Sequence, residues 1–342
     1  MKYNVAILGA TGAVGQEFIK LIEERKFPVG KLKLLASERS AGKQMQVLGE
    51  TYTVEEAKAE SFKDVQIALF AGGPASKVFA PEAVKAGAVV IDNSSTFRMD
   101  PDVPLVVPEV NPEAIKNHRG IIANPNCSTI IMAMALKPIY DRVKIKRVVV
   151  STYQAVSGAG KEAIDELTDQ VKAIMEDRPV EARILPSASL PKHYQIAFNL
   201  IPQIDVFVED GYTKEEMKMV HETHKIFNDY SIAITATTVR VPVYRSHSEA
   251  INLELAGPLS VEEARSALAA FPGVIVQDDP AEMLYPMPLY TSNRDEVFVG
   301  RLRPDKSVTY GLNMWVVGDQ IRKGAALNAL QIAEYMIDHK LV

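Results

Sequence analysis

The one cysteine of this 342-residue chain, Cys127, lies in the run Asn124-Pro125-Asn126-Cys127-Ser128-Thr129. A lone cysteine is more often a small buried hydrophobe than a nucleophile. Three features point the other way. Asn126 and Ser128 flank it with polar groups, Pro125 sets a loop, and the pattern predicts a helix beginning near Ser128. A thiolate is stabilised at a helix N-terminus, and a thiolate can attack an acyl group and carry it as a thioester. Far upstream, Gly9-Ala10-Thr11-Gly12-Ala13-Val14-Gly15 follows a strand-like run and opens a helix-like one. That context is what a dinucleotide-binding glycine turn requires. Glycines let backbone approach a pyrophosphate, and the helix N-terminus supplies N–H donors. Together the two segments suggest covalent chemistry at sulfur coupled to hydride transfer.

The cofactor's flavour is read after the second strand, at Ser37-Glu38-Arg39-Ser40. Glu38 suits the ribose hydroxyls of NAD. Arg39 with Ser37 and Ser40 fits a 2′-phosphate better, which favours NADP(H).

These groups need elements to hold them. Strands are predicted at Tyr3–Leu8, Leu32–Ala36, Gln66–Phe70, Ala88–Asp92 and Ile121–Ala123, with helices at Ala13–Arg25, Ala75–Ala86 and Ser128–Tyr140. This alternation argues for a parallel sheet. Past Lys144 the pattern changes. Strands are expected at Lys144–Tyr153, Thr235–Val243, Ala250–Leu255, Glu296–Arg303 and Val308–Val317. Helices are expected at Lys161–Met175, Thr213–Phe227 and Ser260–Phe271, and Thr213 with Glu216 has capping-box spacing. Asp177–Asp210 reads as irregular, and Asp319–His339 as a long amphipathic helix. The expected fold is α/β: a Rossmann-type parallel-sheet domain at 1–124 plus 318–342, and an α+β domain with a mixed or antiparallel sheet at 125–317. The apolar face of Val148–Tyr153 is either core or a subunit interface.

Composition narrows the functions. The net charge of −5 makes no case for nucleic acid as a partner. No apolar run is long enough to span a bilayer. The first residues run directly into a strand, which leaves no room for a signal peptide. One cysteine excludes an internal disulfide, fits a cytoplasmic location, and makes a structural zinc site unexpected.

Several segments, in this order, resemble the aspartate-β-semialdehyde dehydrogenases, in their shorter bacterial branch. They are GATGAVG from Gly9, DNSSTFR from Asp92, NPNCST from Asn124, QAVSGAG from Gln154, EEMK from Glu215, RVPVYRSHS from Arg240 and GDQIRKGAALN from Gly318. The likeness runs essentially end to end. It implies a glyceraldehyde-3-phosphate-dehydrogenase-like pairing of domains and a homodimer or homotetramer. It also implies NADPH-dependent reductive dephosphorylation of β-aspartyl phosphate to aspartate β-semialdehyde, with release of phosphate, in lysine, threonine and methionine biosynthesis.

The resemblance also implies roles. Cys127 matches the nucleophile, His247 the general acid/base, Gln154 a residue orienting substrate and sulfur, and Asn126 a holder of the acyl oxygen. Arg240 matches the ligand of the substrate carboxylate, Glu215 that of its amino group, and Arg98 and Lys218 the phosphate site. Beside Gly9, Thr11, Gly12, Ala13, Val14, Gly15, Ser37, Arg39 and Ser40, the cofactor is expected to meet Asn93, Ser157, Gly158 and Gln320. No metal is expected.

Alone, each has a plain reading: Glu215 and Lys218 as a surface ion pair, Arg98 as any loop arginine, His247 as one of six histidines. Tyr140-x-x-x-Lys144 has the spacing of a short-chain dehydrogenase pair, but Lys144 falls past its helix. His221-Glu222-Thr223-His224 is one residue short of a zinc-helix motif. Two alternatives stay open: an N-acetyl-glutamyl-phosphate reductase, and a non-catalytic nucleotide-binding paralogue.

Overall fold

The computed structural model describes residues 1–342. The chain forms two compact units: Met1–Cys127 with Lys225–Phe227 and Gly324–Val342, and Ser128–His224 with Asn228–Lys323.

The first unit is built on strands β1 (Tyr3–Leu8), β2 (Val29–Ala36), β5 (Glu55–Glu56), β6 (Ile67–Phe70), β7 (Val89–Asp92) and β8 (Ile121–Ala123), in the order β5-β2-β1-β6-β7-β8. Every pairing is parallel. A hairpin of β3 (Gln44–Val47) and β4 (Glu50–Thr53), which the apolar pattern does not announce, stands apart. The central strands β1 and β6 are almost wholly apolar because helices cover both faces. On one face, Phe18, Leu21 and Ile22 of α1 (Ala13–Glu24) pack with Leu330, Ala333 and Met336 of the C-terminal helix (Leu327–Asp338). On the other, Ala80 and Ala83 of α2 (Ala75–Lys85) meet Phe62 and Phe70. Truncating one such buried leucine to alanine costs about 2–5 kcal/mol.

The C-terminal helix is shorter than its periodicity suggests, because Arg322–Ala326 is a π-helical turn. Before it, Asp319 and Gln320 bond to Arg245 and Ser246 of the second unit's own chain, so those residues fold with that unit.

The second unit opens with α3 (Cys127–Tyr140), which starts one residue earlier than expected, at the cysteine itself. Its sheet contains β9 (Ile145–Gln154), β10 (Ala233–Arg240), β11 (His247–Leu255), β12 (Val274–Val276), β13 (Val297–Pro304) and β14 (Gly311–Gly318), in the order β10-β9-β11-β14-β13-β12. The β10–β9 and β12–β13 pairs are parallel and the others antiparallel, so the sheet is mixed. Alternation along β9 divides Val148–Tyr153 between two faces. Val148, Val150 and Thr152 are buried in the core, while Val149, Ser151 and Tyr153 line a half-exposed face. On that face the Tyr153 and Trp315 rings lie 5.3 Å apart. Helices α4 (Lys161–Met175), α5 (Lys214–Phe227), α6 (Val261–Ala269) and the short α7 (Pro288–Thr291) complete the elements. The Thr213/Glu216 box forms: the Glu216 N–H donates to Thr213 Oγ1, and the Thr213 N–H to Glu216 Oε2. Ser260 and Glu263 cap α6 in the same way. No helix is long and apolar enough to cross a membrane.

Candidate active site

The glycine turn of the first unit joins β1 to α1. Gly9 has φ +83°, a conformation that favours glycine, and its N–H donates to the Leu35 carbonyl of β2. Gly12 is the N-cap of α1 and offers no capping side chain, so the helix presents its first N–H groups to an anion. A Cβ on Gly15 would stand 2.2 Å from Gly9 O and 2.7 Å from Ala10 Cα, so only glycine lets the helix seat on its own turn. After β2, Glu38–Ser40 form a single 3₁₀ turn. Its buried Ser40 lies 3.4 Å from the Thr11 hydroxyl, while Ser37 and Arg39 are exposed beside the turn. Donor-rich helix end, hydroxyls and free guanidinium are the chemistry an NADP pyrophosphate and 2′-phosphate require.

A second group in this unit is tied by amides. Asn93 Nδ2 donates to Phe70 O at 2.8 Å, Asn124 Nδ2 to Asn93 Oδ1 at 2.8 Å, and Asn328 Nδ2 to Asn124 Oδ1 at 2.7 Å. Buried Arg98 joins the ladder, with Nε donating to Asn124 O at 2.9 Å and Nη2 to Asn93 O at 2.8 Å. Lys225 Nζ donates to the carbonyls of Arg98, Asp100 and Val103 at 2.7, 2.6 and 2.8 Å. Lys225 carries no motif, and sequence reasoning passed over it. The ladder leads to buried Asn126 and to Cys127, the first residue of α3 and half-buried.

In the second unit, strand register gathers the other residues. Parallel pairing sets Arg240 at the end of β10 beside Gln154 at the end of β9. The neighbouring β11 runs the opposite way and begins there, with His247. Helix α5 is held to β10 by Glu216, whose Oε1 accepts from Thr238 N at 2.9 Å. This brings Glu215 to the same edge, where Gln154 Nε2 donates to its Oε1 at 3.3 Å. Lys218, one turn on, donates to Glu215 at 2.9 Å and to Asp205 at 3.1 Å. Burial works against the Lys218 charge, but the two carboxylates outweigh it and raise the ammonium's pKa.

Arg240 is buried and donates through Nη1 to Ala155 O at 2.7 Å. A Cβ on Gly158 would approach Arg240 Nη1 to 2.9 Å and the His247 ring to 3.1 Å, so glycine leaves those groups their room. Ser157 accepts from Gln320 Nε2, and Gln320 Oε1 accepts from Ser246 N at 2.9 Å, so Gln320 braces two loops. His247 is fully buried, and its Nδ1 accepts from Ala155 N–H at 3.1 Å. Burial first, and then the Arg240 charge, lower its pKa to about 3. Elsewhere in this unit, Tyr140 and Lys144 both face Asp229, at 2.6 and 3.8 Å.

Known proteins share these two domains and this fold. Residues 4–118 match the family model "Semialdehyde dehydrogenase, NAD binding domain", and residues 136–323 match "Semialdehyde dehydrogenase, dimerisation domain". Fold and family models define an NADP-dependent oxidoreductase acting on an aldehyde group. The aspartate-semialdehyde dehydrogenase of Aquifex aeolicus is 58% identical over 346 residues, with 100% of each chain covered. The aspartate semialdehyde dehydrogenase II of Vibrio cholerae, solved complexed with ASA, superposes with a TM-score of 0.94 at 50% identity over 99% of each chain. A more distant one from Candida albicans, solved with NADP, gives 0.76 at 26% identity over 100% of each chain. The chain belongs to the aspartate-semialdehyde dehydrogenase family.

Proposed function

We propose that the protein reduces β-aspartyl phosphate to aspartate β-semialdehyde and releases phosphate, with Cys127 carrying the acyl group as a thioester. One observation carries the substrate assignment: a buried guanidinium, Arg240, and a buried carboxylate, Glu215, reach one edge of the second unit's sheet. They match the carboxylate and free ammonium of an α-amino acid. An N-acetylated substrate has no ammonium for Glu215 to meet.

Cys127 Sγ attacks the acyl phosphate, the C–S bond forms, and the C–O bond to phosphate breaks. Arg98 and Lys218 hold the phosphate, and Asn126 the acyl oxygen. His247 serves as the general acid/base, and Gln154 orients the substrate and the sulfur. Gly9, Gly12, Gly15 and the first N–H groups of α1 hold the pyrophosphate, Ser37, Arg39 and Ser40 the 2′-phosphate, and Ser157 and Gly158 the nicotinamide end. Bound NADPH supplies the hydride. Asn93 and Gln320 also meet the cofactor, their amides held in place by bonds within the protein.

We assign the half-exposed sheet face around Tyr153 and Trp315 to a second copy, giving a homodimer or a homotetramer. The cytoplasm is the proposed location. The test is phosphate-dependent reduction of NADP with aspartate β-semialdehyde, run beside N-acetyl-glutamate semialdehyde. Activity with only the first is expected, and Cys127→Ala should abolish it while NADPH still binds. Activity with only the second would make the protein an N-acetyl-glutamyl-phosphate reductase. Silence with both, in a protein that binds NADPH, would make it a non-catalytic paralogue.

A further inference from the structure

Lys218 has three N–H groups and gives two of them to carboxylates of the protein, Glu215 Oε2 at 2.9 Å and Asp205 Oδ2 at 3.1 Å. Glu215 stands one turn back on the same helix. Asp205 comes from the irregular stretch before that helix, and no motif marks it. Its place is nonetheless fixed. Four residues upstream, Ile201 N–H donates to Arg240 O at 3.0 Å and Arg240 N–H to Ile201 O at 2.9 Å, which clips the stretch to the end of β10. Just downstream, Lys214 N–H donates to Val206 O at 2.8 Å, which ties it to the start of α5. Between the two clips Asp205 takes φ +68°, a left-handed conformation that Asp and Asn tolerate better than most side chains. Gln203 Nε2 donates to Asp205 O at 3.1 Å, and Val206 N–H to Asp205 Oδ1 at 2.9 Å. One carboxylate oxygen thus anchors the side chain, and the other meets Lys218.

This second carboxylate balances charge. In the function proposed above, Glu215 meets the ammonium of the substrate, yet Glu215 already holds the ammonium of Lys218. Two cations beside one carboxylate repel each other and leave one positive charge without a counter-ion. Asp205 supplies the missing negative charge, and it does so on Lys218. We propose that Asp205 determines specificity for the α-amino group: as the second counter-ion of Lys218, it leaves Glu215 able to take the substrate ammonium. The inference rests on the proposed function and extends it to a residue outside the motifs. Asp205 acts through Lys218 and Glu215, so it is a positioning residue. The shared hold is visible in Lys218 itself, whose pKa the two carboxylates raise against the effect of burial.

The test compares aspartate β-semialdehyde with succinate semialdehyde, the same aldehyde acid without its amino group. Where the second turns over too slowly, its inhibition constant is read in place of KM. Asp205→Asn removes the charge and keeps the size and the backbone preference. The wild type should prefer the amino substrate. Asp205→Asn should raise the KM for aspartate β-semialdehyde roughly 10-fold, the weight of one hydrogen bond to a charged group, and change the constant for succinate semialdehyde by less than about twofold. A preference that survives Asp205→Asn unchanged, or an equal loss with both compounds, overturns this proposal alone. A wild type without preference for the amino substrate overturns the substrate assignment, and this proposal with it. A second readout needs neither substrate nor that variant. ¹³C-lysine NMR of the substrate-free wild type follows the Lys218 Cε signal, assigned by its loss in Lys218→Met. Lys218 should still be charged at about pH 10, where an ordinary lysine has begun to titrate. Titration at or below the ordinary value would show that the two carboxylates do not share it, which also overturns the proposal.

Discussion

Glu249 on β11 lies directly across from Thr152 on β9, fully buried, and neither of its carboxylate oxygens meets a hydrogen-bond donor of the protein. Burial raises its pKa well above the ordinary value of 4.5. The carboxyl thus stays protonated in the folded chain at a pH where the unfolded chain has ionised it. Its share of stability is present below about pH 4.5 and is lost as pH rises towards the folded-state pKa. Glu249→Met should therefore stabilise the protein by about 1–3 kcal/mol near neutrality, and by less at about pH 4.5. Urea midpoints of both proteins at the two pH values check this. A gain that does not grow with pH would show that Glu249 is not held neutral.

His247 has the opposite sign. Its folded-state pKa lies near 3, below the ordinary 6.5. Stability from the neutral ring is present above pH 6.5 and declines as pH falls towards 3. Between about pH 6.5 and 5 the wild type should lose about 2 kcal/mol that His247→Asn does not lose. Parallel stability curves for the two proteins would argue that the ring titrates normally.

Lys225 holds three carbonyls of the Arg98 loop with its three ammonium protons. Lys225→Met should leave those acceptors without their charged donor. We expect a loss of about 1–3 kcal/mol in stability. We also expect a KM for phosphate raised more than kcat is lowered, because Arg98 is displaced and the sulfur is untouched. A change in kcat alone would assign Lys225 elsewhere.

Arg39 is exposed beside the turn that buries Ser40. Arg39→Gln should raise the KM for NADP by roughly 10-fold, about 1.4 kcal/mol, through loss of a charged contact to the 2′-phosphate. The KM for NAD should change little. Equal effects on both cofactors would place Arg39 outside the 2′-phosphate site.

What the sequence determined by itself was local. The glycine turn is legible because Gly9, Gly12 and Gly15 serve neighbours a few residues away, through backbone conformation and a missing Cβ. Cys127 at the start of α3 and the Thr213/Glu216 cap are legible for the same reason. The roles proposed for His247, Glu215 and Arg240 rest on the run of motifs and not on their own spacing. Tertiary structure decided the rest. Strand register, which no short window contains, puts Gln154, Arg240 and His247 at one edge. The Asn93 and Gln320 amides bond to Asn124 and Ser246, partners that only the fold brings near. The Ala155 N–H reaches His247 Nδ1 because backbone direction at Ala155 exists only once the sheet has formed.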